Sequence, residues 1–219
     1  MQTSFVLTAD NIAQKFQRRT VFSGVSLQVR NGDTLGITGR NGSGKSTLVK
    51  ILCTLITPTS GKVSLTVDGS TVEHDNFYHH IGFVSPYLAL YEEFTASEHA
   101  RLNARMRGIP YNEQHILELL ALLKLDHRFH DDIKTFSSGM KQRMKYVLAL
   151  QHSPAVLLLD EPMTNLDAEG IATVENVVRT RIDQGGAVII ATNDERDKAL
   201  CTRFMSVEKE DEYATEAQR

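Results

Sequence analysis

The chain has 219 residues, room for one large domain or a domain with a subdomain, and its 41% hydrophobic and 23% charged residues are ordinary for a globular protein. With 24 basic and 27 acidic residues the net charge is −3, which argues against a protein that coats nucleic acid with a basic face. Cys53 and Cys201 are too few for a disulfide framework or a four-cysteine zinc site, and both sit among apolar residues as small hydrophobes. MQTSFVLTAD has no basic run followed by an apolar stretch, so no secretory signal is expected. No window approaches the roughly 18 unbroken apolar residues of a membrane span. The chain is therefore expected to be cytoplasmic and to reach a membrane only through a partner.

The first third reads as strands and turns. Phe5 and Leu7, then Val25, Leu27 and Val29, alternate with polar residues, as strands with one buried face do. Asn31-Gly32-Asp33 turns into a strand over Thr34–Thr38, and an apolar-periodic helix is expected over Leu48–Leu55. Val63, Leu65 and Val67 alternate up to a hairpin signal at Asp68-Gly69. From about Thr95 to His152 the period becomes helical, with Ile116, Leu119, Leu120 and Leu123 on one stripe and Gly108-Ile109-Pro110 separating two helices. A further helix is expected over Met140–Gln151. Ala155–Asp160 and Ala187–Thr192 are short continuous apolar runs, as in strands covered on both faces, and Glu169–Arg181 reads as the helix between them, stopped by Gly185-Gly186. Strand, helix, strand implies parallel pairing through a crossover. The polar tail Glu208–Arg219 is expected to fray.

Three motifs carry chemistry. Gly39-Arg40-Asn41-Gly42-Ser43-Gly44-Lys45-Ser46-Thr47 matches G-x-x-x-x-G-K-[ST] between an expected strand and an expected helix. Its glycines let backbone N–H groups ring a phosphate, Lys45 adds a full charge for the β- and γ-phosphates of ATP, and Ser46 offers a hydroxyl to Mg²⁺. Val156-Leu157-Leu158-Leu159 runs into Asp160-Glu161-Pro162 at a strand's carboxyl end, where ligands bind in open α/β sheets. Asp160 is placed to reach the hydrated metal ion and Glu161 to act as general base on water. Phe136-Ser137-Ser138-Gly139-Met140-Lys141-Gln142-Arg143 opens a helix, and Ser137, Ser138 and Gly139 there read either as a plain N-cap or as a second anion site.

Together with Asn165-Leu166-Asp167, these motifs follow one another as in ATP-binding cassette (ABC) ATPases, which the chain resembles from about Phe5 to Val207. The resemblance implies an α/β P-loop fold with a mixed sheet core, an antiparallel β portion and an inserted helical subdomain at about residues 87–151. The whole would form one domain over residues 1–210, followed by a polar tail at 211–219. It implies a head-to-tail cassette dimer in which Ser138 and Gly139 meet the γ-phosphate bound to the opposite subunit and Asp167 lies in the loop that communicates across the interface. It also implies a separate multi-span membrane subunit, with the cassette peripheral on the inner face of the cell membrane. Phe16 is placed like the aromatic that stacks on adenine, with Phe22 or plain core packing as rivals.

The chain departs from the family twice. Pro86 stands where a glutamine usually approaches Mg²⁺, and Asn193 stands where a histidine usually meets the γ-phosphate. Pro86 has no side-chain oxygen, and asparagine can hydrogen-bond a phosphate but carries no charge, so hydrolysis is expected to be slow. His152 and His79-His80 do not occupy the missing position. Among transporter cassettes the Phe-Ser-Ser-Gly-Met-Lys-Gln-Arg run resembles the haem-exporter ATPase of cytochrome c maturation, and general export cassettes nearly as well. The alternatives are a soluble ATP-gated switch or clamp, which usually carries coiled-coil insertions or paired cassettes, and a small P-loop kinase, which needs neither the Ser138-Gly139 signature nor Glu161.

Overall fold

A computed structural model describes residues 3–17 and 19–208. The expectation of a frayed tail lies, beyond Glu208, outside the described residues. The chain runs through β1 (Phe5–Phe16), β2 (Arg19–Arg30), β3 (Thr34–Thr38), α1 (Lys45–Leu52), β4 (Ser60–Val67), β5 (Ser70–Thr71) and β6 (Ile81–Val84). It continues through α2 (Ala96–Arg107), α3 (Glu113–Leu122), α4 (Ser138–Leu150), β7 (Val156–Asp160), α5 (Ala168–Asp183), β8 (Ala187–Ala191), α6 (Glu195–Lys198) and β9 (Arg203–Ser206).

Antiparallel and parallel pairing fall in separate sheets. One sheet is antiparallel in the order β2-β1-β4-β5, and the other is parallel in the order β6-β7-β8-β3-β9. Phe5, Leu7 and Ala9 alternate inward along β1, as the period of two requires. Asp68 and Gly69 take φ of 48° and 78°, the two positive angles that a tight hairpin turn between β4 and β5 demands.

The parallel sheet divides the interior. Val156 and Leu158 of β7 and Ala187, Ile189 and Ala191 of β8 face a core shared with α1 and the antiparallel sheet. Leu157, Leu159, Val188 and Ile190 face a second core built by α2 to α5, in which the Ile116-Leu119-Leu120-Leu123 stripe is buried as its spacing predicts. β7 and β8 are buried at every residue, and that is why both read as unbroken apolar runs.

Local chemistry sets the helix ends. Thr95 and Glu98 form a reciprocal capping box at the start of α2, and Gly108 closes that helix with φ of 65°. α4 starts at Ser138 rather than Met140, because Ser137 Oγ accepts the Met140 N–H at 3.2 Å and so caps the helix two residues earlier. α1 starts at Lys45 and stops at Leu52, displaced from the expected Leu48–Leu55. Its first turn is the polar end of the Gly-rich motif, and Thr54 leaves the helix at φ of 59°.

Candidate active site at the phosphate loop

β3, β7 and β8 run parallel and adjacent, so their carboxyl ends share one edge. The segment Gly39–Gly44 leaves β3 at that edge and runs into α1, whose N-cap Gly44 has no side-chain cap, leaving the first helical N–H groups for an anion. Two glycines are required by space as well as by angle. Gly39 has φ of 145°, and a Cβ there would lie 2.3 Å from the Val207 carbonyl oxygen; Gly44 has φ of 103°, and a Cβ there would lie 2.5 Å from Val21 Cγ1.

Lys45 is buried and folds back over the loop, donating to the Gly39 carbonyl at 2.8 Å and the Arg40 carbonyl at 3.3 Å. Burial lowers its pKa, and Glu161 and Asp160 oppose that shift. Ser46 Oγ donates to Asp160 Oδ1 at 2.8 Å, and Ser85 Oγ donates to Asp160 Oδ2 at 3.4 Å, with Asp160 only 1% exposed. Glu161 sits at φ of 47°, a left-handed conformation rare for a side-chain-bearing residue, with its N–H held by the Ala191 carbonyl at 2.9 Å. Asn193, just past β8, donates from Nδ2 to Asn41 Oδ1 at 2.9 Å. A cleft of about 400 Å³ is lined by Asn41, Gly42, Gly44, Lys45, Ser46, Thr47 and Glu161. A second, also of about 400 Å³, is lined by Asn41, Glu161, Asn193 and Asp197 among others. A third, of about 630 Å³, takes in Gly39, Arg40, Asn41 and Ser43 on the β9 side.

Other expected site residues stand apart from these clefts. Ser137 caps α4, and exposed Ser138 with Gly139 forms its first turn, which contains no acidic residue. Gly139 lies against the Asn165 carbonyl, 3.4 Å from where a Cβ would sit. Asp167 commits its carboxylate to the N-cap of α5, accepting the Gly170 N–H at 2.8 Å. Of the candidate aromatics, Phe22 is fully buried and Phe16 is 50% exposed at the end of β1. His152 bonds the Ile81 carbonyl and Arg107 at the opposite end of the parallel sheet, where burial first and then Arg107 push its pKa down to about 3.

The structure adds three residues that sequence reasoning missed. Ser85, next to Pro86, supplies a hydroxyl to Asp160. Lys145 of α4, buried and lowered in pKa by that burial, donates to the Ser85 carbonyl at 3.1 Å and the Pro86 carbonyl at 2.8 Å. Asp197 of α6 is buried beside Thr192 and Asn193. The only signals in the sequence are a serine ahead of the proline and a lysine one turn beyond the Ser-Ser-Gly-Met-Lys-Gln run.

Comparison with known proteins gives the family. The model of the ABC transporter family covers residues 22–164. The linearmycin resistance ATP-binding protein LnrL of Bacillus subtilis is 32% identical over 205 residues, 91% of this chain, and the chain spans 65% of its length. The cytochrome c biogenesis ATP-binding export protein CcmA of Cupriavidus pinatubonensis is 31% identical over 188 residues, 86% of this chain and 83% of that protein. A dimeric ATP-binding cassette captured after hydrolysis with ADP and Pi superposes with a TM-score of 0.80 at 24% identity, over 92% of this chain and 94% of that one, and shares its fold. With a phosphate loop after β3, an Asp-Glu pair ending β7 and a family match over more than half its length, the chain belongs to the ABC transporter family and carries its ATP-binding cassette.

Proposed function

We propose that the chain is the ATP-binding and ATP-hydrolysing subunit of a membrane transporter. It would work as a head-to-tail pair of cassettes on a separate multi-span membrane protein, peripheral on the inner face of the membrane. The observation that carries this is the convergence of Asn41, Lys45, Ser46, Asp160, Glu161 and Asn193 at one sheet edge, from segments up to 152 residues apart. Among the described residues no helix is long and apolar enough to cross a membrane, which fits a role that relies on a membrane partner. We read residues 1–210 as one domain, with α2 to α4 as its helical subdomain over about 87–151.

The residues present fit Mg²⁺: Ser46 Oγ, both oxygens of Asp160 and Ser85 Oγ form an all-oxygen donor set, as a hard cation prefers. Ser46 and Asp160 would hold it, and bound there it would neutralise charge on the β- and γ-phosphates. The N–H groups of the uncapped first turn of α1, Lys45 to Thr47, bind the phosphate oxygens, and Lys45 supplies the positive charge. Glu161 accepts the proton of the attacking water, and the Asn193 amide donates to the γ-phosphate. Phe16 offers an exposed ring for the adenine. Ser137, Ser138 and Gly139 at the start of α4, with Asp167 across from them, complete the site on a second copy. Pro86 and the uncharged Asn193 make turnover slow. The similarity to CcmA keeps a cytochrome c biogenesis exporter among the candidate transporters, beside the resistance exporters that LnrL represents.

The test is Glu161→Gln. The amide keeps the shape but removes the base, so nucleotide binding persists, turnover falls by about 10²–10⁴, and Mg-ATP traps a dimer visible by size exclusion. A strict monomer at high concentration with bound ATP would reject the two-copy site.

A further inference from the structure

We infer that Asp197 is a positioning residue for the phosphate-sensing segment: through the Thr192 hydroxyl, its carboxylate holds Asn193 against the phosphate loop. The inference rests on reading Asn193 as a γ-phosphate contact.

The geometry is a chain of hydrogen bonds around one residue. Thr192 Oγ1 donates to Asp197 Oδ2 at 2.6 Å and accepts the Asp194 N–H at 2.9 Å. The Thr192 N–H is held by the Ile37 carbonyl of β3 at 3.1 Å. Both neighbours of Asn193 are thereby fixed, and its amide reaches Asn41 at 2.9 Å. Asp197 is 2% exposed. It does not cap its own helix, because Asp194 does that by accepting the Arg196 N–H at 2.9 Å. Asp197 Oδ1 is buried without a hydrogen-bond partner, and the residue lines the same cleft as Glu161 and Asn193. A buried carboxylate that spends one oxygen on a neighbouring hydroxyl and leaves the other unpaired is costly to keep for stability alone.

The same burial makes the hold sensitive to pH. Burial pushes the Asp197 carboxyl up to about 6; Asp194 and Glu161 add to the rise, while the Thr192 hydroxyl and Arg196 oppose it. The other titratable groups facing it are the Tyr146 phenol of α4 and the Cys201 thiol, both raised by burial and then by Asp197 itself, and so both neutral near pH 6. Asp194 is held down at about 2 by its bonds to Arg196 and stays ionised throughout. Above about pH 6 the Thr192 hydroxyl therefore donates to a carboxylate. Below it the acceptor is a neutral acid, and the charge-assisted bond is lost.

Two readouts test this on the full chain. The first does not need turnover: the side-chain amide of Asn193, assigned by its loss from the ¹⁵N spectrum of Asn193→Gln, shifts with a midpoint near pH 6 in the wild type. In Asp197→Asn it is independent of pH between about 5 and 7.5. An Asn193 resonance that does not titrate, or that titrates identically in Asp197→Asn, overturns the inference. The second is the pH profile of ATP turnover. Misplacement of a contact group costs up to about 10²-fold in rate, so Asp197→Asn and Thr192→Val lower kcat by about 10- to 100-fold with little change in KM and lose the acid limb near pH 6. Thr192→Ser, which keeps the hydroxyl, restores both. An acid limb near pH 6 that persists in Asp197→Asn overturns the inference, whereas a wild type that hydrolyses no ATP at any pH counts against the ATPase reading and leaves the resonance experiment to decide on Asp197.

Discussion

The carboxyl edge of β3, β7 and β8 and the first turn of α4 are both places where backbone N–H groups are free for an anion, but they are built differently. At the edge the chain supplies a complete set of partners: Lys45 folded over the loop, Ser46 on Asp160, Asn193 on Asn41. At α4 it supplies only the exposed start of a helix, with Ser137 as cap and no carboxylate in the first turn. On the proposed function, the edge would be a site within one chain and the α4 turn half of a site.

The largest expected effect tests the first half of that contrast. The Lys45 ammonium is buried, its hydrogen bonds among the described residues go to carbonyl oxygens, and Glu161 and Asp160 act on it only through space, so a phosphate would add the charge-assisted hydrogen bonds it lacks. Charge-assisted contacts are worth about 1.5–3 kcal/mol each, and Lys45→Ala is expected to weaken ATP binding on the order of 100-fold in equilibrium dialysis. Unchanged affinity would mean that the edge is not the nucleotide site.

The second half is tested by Ser138→Glu. A carboxylate at a helix N-terminus is itself favourable by about 0.3–1 kcal/mol, so α4 keeps its fold. ATP binding to the single chain is expected to stay within about 3-fold, because the α4 turn borders none of the clefts around the phosphate loop. The ATP-trapped dimer of Glu161→Gln is expected to be lost once Ser138→Glu is added, because a carboxylate would then face the partner's γ-phosphate. A double variant that still dimerises on Mg-ATP would remove α4 from the site.

What the sequence shows of each region follows from where its partners lie. The phosphate loop, β7 and α5 are legible because motif, apolar run and helical period are local, as at Thr34–Thr38, where expectation and strand coincide. The start of α1 is not, because Gly44-Lys45-Ser46 is polar and the apolar period begins only at Leu48. Asp167 follows the pattern of a communicating loop, while its carboxylate caps α5. Ser85, Lys145 and Asp197 are polar residues that read as surface and are buried. The partners of Ser85 and Lys145 lie 75 and 60 residues away in sequence, a distance that only the parallel sheet and α4 close.

Asn193→His probes how finely the edge is tuned. A charged or N–H-donating ring aimed at the developing charge stabilises the transition state better than a neutral amide, and a fully aligned donor is worth about 10²–10³ in rate. The histidine must also replace the bond to Asn41, and Lys145 ties down the Pro86 carbonyl, so a gain on the order of tenfold in single-turnover hydrolysis is expected, larger with Pro86→Gln. If neither change nor the pair speeds hydrolysis, the departures at these positions do not set the rate.

The smallest effect separates the edge from the α4 turn by stability rather than by nucleotide. Asp197 behind the edge has its pKa raised from 3.8 to about 6, so between those values the folded chain binds a proton that the unfolded chain has released. Its contribution is therefore fully present below about pH 4 and is lost as pH rises through about 6, opposite to the usual paired carboxylate. A rise of this size corresponds to about 3 kcal/mol, or some 6–12 °C in Tm for a chain of this length. Asp197→Asn stays neutral throughout, so the difference in Tm between variant and wild type is expected to move in favour of the variant from pH 4 to pH 7. Ser138 lies in no buried charge cluster, and Ser138→Ala is expected to track the wild type in parallel across that range. Parallel melting curves for Asp197→Asn and wild type would show that Asp197 is not held in an environment that resists its charge, and that the two helix-linked regions differ in contacts alone.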